Sequence, residues 1–182
     1  MASLSSPHVV QTGGFPLLRA IALLSTLAGW CAAAMIVIAI AITCQMIFVR
    51  FALDGSTYWQ TEAVIYLVIA ATLVGLPYVQ RLRGHVNVDL IPLALPGRAR
   101  RVAALVTSGL SIAIAAAMLW YGAEFWHVAF ERGWRSDTIW GVRLWIPYLA
   151  LPVGFGLFLL QLVADFAAVI LGVDAPFGLE DA

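Results

Sequence analysis

Four long intervals in this chain contain no Asp, Glu, Lys or Arg, and they constrain its fold more than any other feature. They are the 30 residues between Arg19 and Arg50, the 18 between Glu62 and Arg81, the 22 between Arg101 and Glu124, and the 21 between Arg143 and Asp165. A helix rises about 1.5 Å per residue, so about 20 apolar residues cross a hydrocarbon core near 30 Å thick. Each interval is long enough, the second once Tyr58 and Trp59 extend it. The chain is 63% hydrophobic and 11% charged, against roughly a quarter charged in a soluble domain, and no soluble core of this size could hide so much apolar surface. The predicted fold is an all-α integral membrane protein with four transmembrane helices, over about 20–48, 58–80, 100–124 and 143–169, forming one domain across residues 1–182. A short amphipathic cytoplasmic connector at about 81–99 joins helices two and three, and a periplasmic loop is expected at about 125–142.

The first interval imitates a secretory signal, with Arg19, an apolar run and then Ala32-Ala33-Ala34. The run continues through Ile47 to Val49, too long for a signal h-region, so the segment is expected to remain as the first membrane helix. Cys31 and Cys44 both lie in it, about 20 Å apart along the axis, and cannot bridge each other. No Cys-x-x-Cys supports a thiol oxidoreductase. The ten basic residues balance the ten acidic ones, which leaves no net charge to suggest nucleic-acid binding. Their placement is informative. Arg19, Arg81, Arg83, Arg98, Arg100 and Arg101 fall on one face, against Arg50, Arg132, Arg135 and Arg143 on the other. The positive-inside rule therefore puts both termini and the connector in the cytoplasm.

Trp59, Trp120, Trp126, Trp134, Trp140 and Trp145 all map to the opposite interface, where an indole sets its apolar body in lipid and its N–H in water. Anchoring explains most of them; Trp134 to Trp140 also suits a docking surface. The third loop mixes Arg, Asp, Glu and aromatic residues and is longer than a minimal turn, so a short interfacial helix or a protein-facing surface is expected. Small residues recur four apart as Ser25, Gly29 and Ala33, as Ala71 and Gly75, and as Gly109, Ala113 and Ala117, a spacing that lets helices approach closely in lipid.

Residues 59–96 carry the most specific signal. Glu62 opens the second span, three after Trp59 and four before Tyr66, on one helix face. It can serve the helix macrodipole or pair with a group on a partner helix, since an ionisable residue at a membrane edge is costly to leave unpaired. Arg81 and Arg83 mark the cytoplasmic interface, and Gly84 permits a sharp change of direction. His85-Val86-Asn87-Val88-Asp89 follows, with Asp89 a candidate N-cap for a short helix from Leu90 that tolerates Pro92 in its first turn. Pro96 can open the third span. The connector is expected to lie along the membrane surface, against lipid.

This order (Trp59, Glu62, Tyr66, a long apolar run, Arg81 and Arg83, then Gly84-His85-Val86-x-Val88-Asp89-Leu90 and an Arg cluster) resembles the small membrane subunit of tripartite ATP-independent periplasmic (TRAP) transporters, the DctQ-like family, over about residues 20–170. Ile65 departs from it, standing where many members carry Arg. The resemblance implies a bacterial inner-membrane importer of an organic acid, usually a carboxylate, normally driven by sodium. It implies two protein partners: a large membrane subunit (DctM-like) that moves the solute and a periplasmic solute-binding protein (DctP-like) that captures it. This chain would be the scaffold, with Trp59, Glu62, Tyr66, Arg81, Arg83, Gly84, His85 and Asp89 as structural or subunit-interface residues.

Other classes fit less well. Glu124 and His127 have the spacing of half a carboxylate-bridged metal site, but no second Glu-x-x-His exists. His8, His85 and His127 offer no pair inside the spans for haem. No catalytic residue, metal or cofactor is expected. A self-sufficient four-helix exporter would need an acid well inside the bundle, and Glu62 lies near an end.

Overall fold

The computed structural model describes residues 16–82 and 96–172. Among these described residues, four stretches are helical and apolar enough to cross a membrane: Pro16–Ala52, Gln60–Arg81, Ala99–Glu131 and Trp145–Ile170. Helix α1 (Pro16–Ala52) starts on a proline, whose missing N–H is one that a first turn leaves unpaired anyway. Helix α2 is Gln60–Arg81 and holds Pro77. Helix α3, Gly97–Glu131, follows Pro96 in extended conformation. The fourth span is a single turn, α4 (Trp145–Tyr148), running almost directly into α5 (Ala150–Ile170). Of the connector, residues 83–95 lie outside the described residues, and Arg83, Gly84, His85 and Asp89 with them.

The helices run up and down, with α2 between α1 and α5 and α3 packed on α5. The buried positions are mostly small: Ala22, Ser25, Ala28 and Ala39 on α1, Ala63 and Ala71 on α2, Ala104, Ala115 and Ala129 on α3, Ala164 and Ala168 on α5. Leu23, Leu27, Trp30, Val37 and Phe48 on α1 face outward. This inverts a soluble fold for a physical reason: lipid is as apolar as leucine, so van der Waals approach between backbones, rather than hydrophobic exclusion, holds such helices together.

Two of the three small-residue stripes are used. Gly29 sits so close to Tyr78 that a methyl there would stand 2.4 Å from the ring, and Gly75 faces Ala32. Gly109 has nothing within 4 Å of the place a methyl would take, and Ala113 and Ala117 are exposed. The closest approach to a neighbouring backbone is one that spacing does not advertise. Pro77 has no N–H for the Leu73 carbonyl one turn back, and α5 presents Gly154 there. A methyl on Gly154 would lie 2.8 Å from the Leu73 carbonyl oxygen.

Candidate functional site

The bundle has one end built around a loop. Helix α3 stops at Gly133, whose φ of +59° is left-handed. The Gly133 N–H bonds to Phe130 O at 3.2 Å and the Trp134 N–H to Ala129 O at 3.1 Å, the paired closure that caps helices with glycine. The chain then folds back as a hairpin, not as a short interfacial helix, one of the two forms expected of this loop. Arg135 and Arg143 form an antiparallel bridge, flanked by Ser136 N–H to Val142 O and Leu144 N–H to Trp134 O, both 2.9 Å. Its tip turns over Thr138–Gly141, closed by Gly141 N–H to Thr138 O at 3.0 Å, with Gly141 also left-handed.

Aromatic contacts hold the base of this hairpin to α3. Phe125 packs edge-on to Trp134 and beside Tyr148, Phe130 meets Trp145, and the Trp126 indole N–H donates to the Trp145 carbonyl at 3.1 Å. The tip is held to α2. Trp140 packs on Trp59 with ring centroids 6.1 Å apart. Glu62 accepts two short hydrogen bonds of 2.5 Å, from the Tyr66 hydroxyl one turn along and from the Thr138 hydroxyl of the hairpin. No side chain caps α2 at Trp59; Glu62 bonds within its own chain. Arg135, Asp137, Ile139 and Arg143 form the outward edge, Ile139 being 89% exposed.

The other end is closed by a circuit of polar side chains. Ser25 on α1 donates to Gln161 on α5 at 2.6 Å, and Gln161 donates to Asp165 one turn on at 2.7 Å. Gln80 on α2 donates to the other Asp165 oxygen at 3.0 Å. Next to these, Arg81 donates to the Ala22 carbonyl at 3.0 Å and to the Thr26 hydroxyl. Three helices are thereby joined pairwise at one level, and a buried Ser or Gln in such a place is held because leaving it unpaired in an apolar medium is costly.

Of the residues singled out from sequence, Trp59, Glu62 and Tyr66 come together and Arg81 sits at the far end. Their partners Ser136, Thr138 and Trp140, and the circuit of Ser25, Gln80, Gln161 and Asp165, were not anticipated. Gln161 and Asp165, one turn apart in an apolar helix, carried the available signal. Glu124 and His127 are both exposed, and His127 faces Glu131 at 3.7 Å. Among the described residues no group of three or more His, Cys, Asp or Glu side chains could hold a metal ion.

Comparison with known proteins gives one family match. The model of the tripartite ATP-independent periplasmic transporters, DctQ component, matches residues 39–172. The chain is similar to the isethionate TRAP transporter permease protein DctMQ of Oleidesulfovibrio alaskensis, 25% identical over 116 residues that cover 64% of this chain and 18% of that protein. It is also similar to the C4-dicarboxylate TRAP transporter small permease protein DctQ of Vibrio cholerae, 26% identical over an aligned 137 residues, covering 64% of this chain and 59% of that protein. The chain thus spans less than two thirds of either relative.

Proposed function

Because this chain belongs to the DctQ component family of the tripartite ATP-independent periplasmic transporters, a family of transporter subunits and not of enzymes, we propose that it acts as the small scaffold subunit of an organic-acid importer. It braces a large DctM-like membrane subunit, and its hairpin end helps dock a periplasmic solute-binding protein. The observation that carries this reading is the use made of the polar groups: Glu62, Arg81, Gln161 and Asp165 bond across or beside helix contacts near the two ends. Groups so engaged fix geometry, whereas a carrier needs an acid deep in the bundle that alternates partners. The solute class is supported by the relatives' names, for isethionate and for C4-dicarboxylate, both small organic anions.

The proposed setting is the bacterial inner membrane, multi-pass, with the polar circuit and both termini cytoplasmic and the hairpin periplasmic. The arginine distribution supports this orientation. The connector would brace the large subunit, and His85→Ala is expected to weaken assembly or uptake without abolishing insertion. The decisive experiment is co-expression with the neighbouring large membrane protein. A stable complex that imports solute only when the binding protein is added supports the scaffold role. Solute flux through vesicles holding this chain alone, or failure to co-purify, overturns it.

A further inference from the structure

The hairpin's shape and the hairpin's pose have different origins. Shape is set by its own backbone hydrogen bonds around the Arg135 and Arg143 bridge. Pose, at the tip, is set by contacts with the start of α2, chiefly the Trp59 and Trp140 rings and the Thr138 bond to Glu62. The second is directional. The Thr138 N–H donates to Ser136 Oγ at 3.3 Å, and the two hydroxyls lie 3.0 Å apart. A hydroxyl has one proton; Thr138 gives its own to Glu62, and Ser136, which also faces the carboxylate, lies beside the Thr138 hydroxyl. The two hydroxyls together aim the tip at the carboxylate. The carboxylate is fixed in turn, because Tyr66 occupies its other oxygen.

We propose that Glu62 is a positioning residue: by accepting the Thr138 hydroxyl it sets the angle of the hairpin, and so the way Arg135, Asp137, Ile139 and Arg143 are presented to the periplasmic binding protein. This rests on the docking role proposed above. Hydrogen bonds to an ionised acceptor are shorter and about twice as strong as neutral ones, so one such bond at the tip outweighs the remaining ring contact in fixing direction. The acid is retained at the membrane edge, with no cation opposite it among the described residues, because three hydroxyls are organised around it.

The test uses the full chain in complex with its large subunit. Glu62→Ala and Thr138→Val should each raise hydrogen–deuterium exchange about tenfold at the Thr138 amide, which is bonded to the Ser136 hydroxyl of the latch, the effect of losing one bond to a charged group, while the Ser136 and Leu144 amides, bonded within the hairpin, should not move. Exchange along 150–170 should not move, and Thr138→Ser should behave as the native chain. In a binding titration with the solute-binding protein encoded beside this chain, the same two variants should weaken Kd about tenfold, with Thr138→Ser restoring it. Unchanged exchange in both variants overturns the latch. Raised exchange with native Kd overturns the positioning role. The docking reading has its own control: Ile139→Glu and Arg135→Glu should weaken binding whatever Glu62 does, and native binding in both would remove the docking role and this proposal with it.

Discussion

Glycines show most directly how single residues decide the packing. Gly154→Ala sets a methyl against the backbone of Leu73, which cannot rotate away as a side-chain tip could, so α2 and α5 must separate. The expected loss is about 1–3 kcal/mol, read from unfolding in mixed micelles on titration with a denaturing detergent. Gly109→Ala meets nothing and should be neutral or stabilise by up to about 1 kcal/mol, since alanine is the better helix former. A loss at Gly109 equal to that at Gly154 would contradict the packing. Spacing marked Gly109 and passed over Gly154, because a four-residue repeat marks where approach is available and not where a neighbour has taken it up. Glu62 shows the same limit. Its helix face with Trp59 and Tyr66 was legible; that its second oxygen belongs to Thr138 was not, since 76 residues separate them.

Between elements, the polar circuit is the feature whose removal can be read most cleanly. Ser25→Ala takes the donor from Gln161 and should cost about 0.6–1.7 kcal/mol, the range seen for interhelical hydrogen bonds in membranes. Gln161→Leu should cost more, as it removes both the acceptor of the Ser25 hydroxyl and a donor to Asp165. A double-mutant cycle by the same unfolding assay should show the two losses non-additive; strict additivity would mean the bond is not formed. Counting charge treated Asp165 only as the boundary of an apolar interval, and missed that it ties Gln80 of α2 to α5. The third loop was likewise half legible. Its aromatic and charged composition pointed to an interface, but the hairpin depends on Gly133 and Gly141 adopting left-handed backbone, a conformation glycine permits without requiring.

For the molecule as a whole, hydropathy was sufficient to give four helices, because a charge gap of 18 or more residues has few alternatives in a chain this apolar. The order of packing, with α3 on α5 and α2 central, was not readable, since every helix is apolar on all sides. Orientation can be checked directly. With Cys31 and Cys44 replaced by Ala, Ile139→Cys should react with an impermeant maleimide added outside intact spheroplasts, and Arg101→Cys only after permeabilisation. The reverse pattern would invert the proposed topology. A last consequence follows from how α1 registers against α2. Arg81 meets α1 at Ala22 and Thr26, and Gln60 meets it at Gln45, so the stretch of α1 abreast of α2 is only its middle. Leu17 overhangs at one end and Phe48 and Phe51 at the other. The bilayer along that flank must stretch or the helix must lean, each costing fractions of a kcal/mol per Å of mismatch. A protein shaped this way acts on its membrane as an elastic load, one that long-chain lipids relieve and short-chain lipids aggravate. Stability measured across bilayers of increasing acyl length should rise toward the thicker ones.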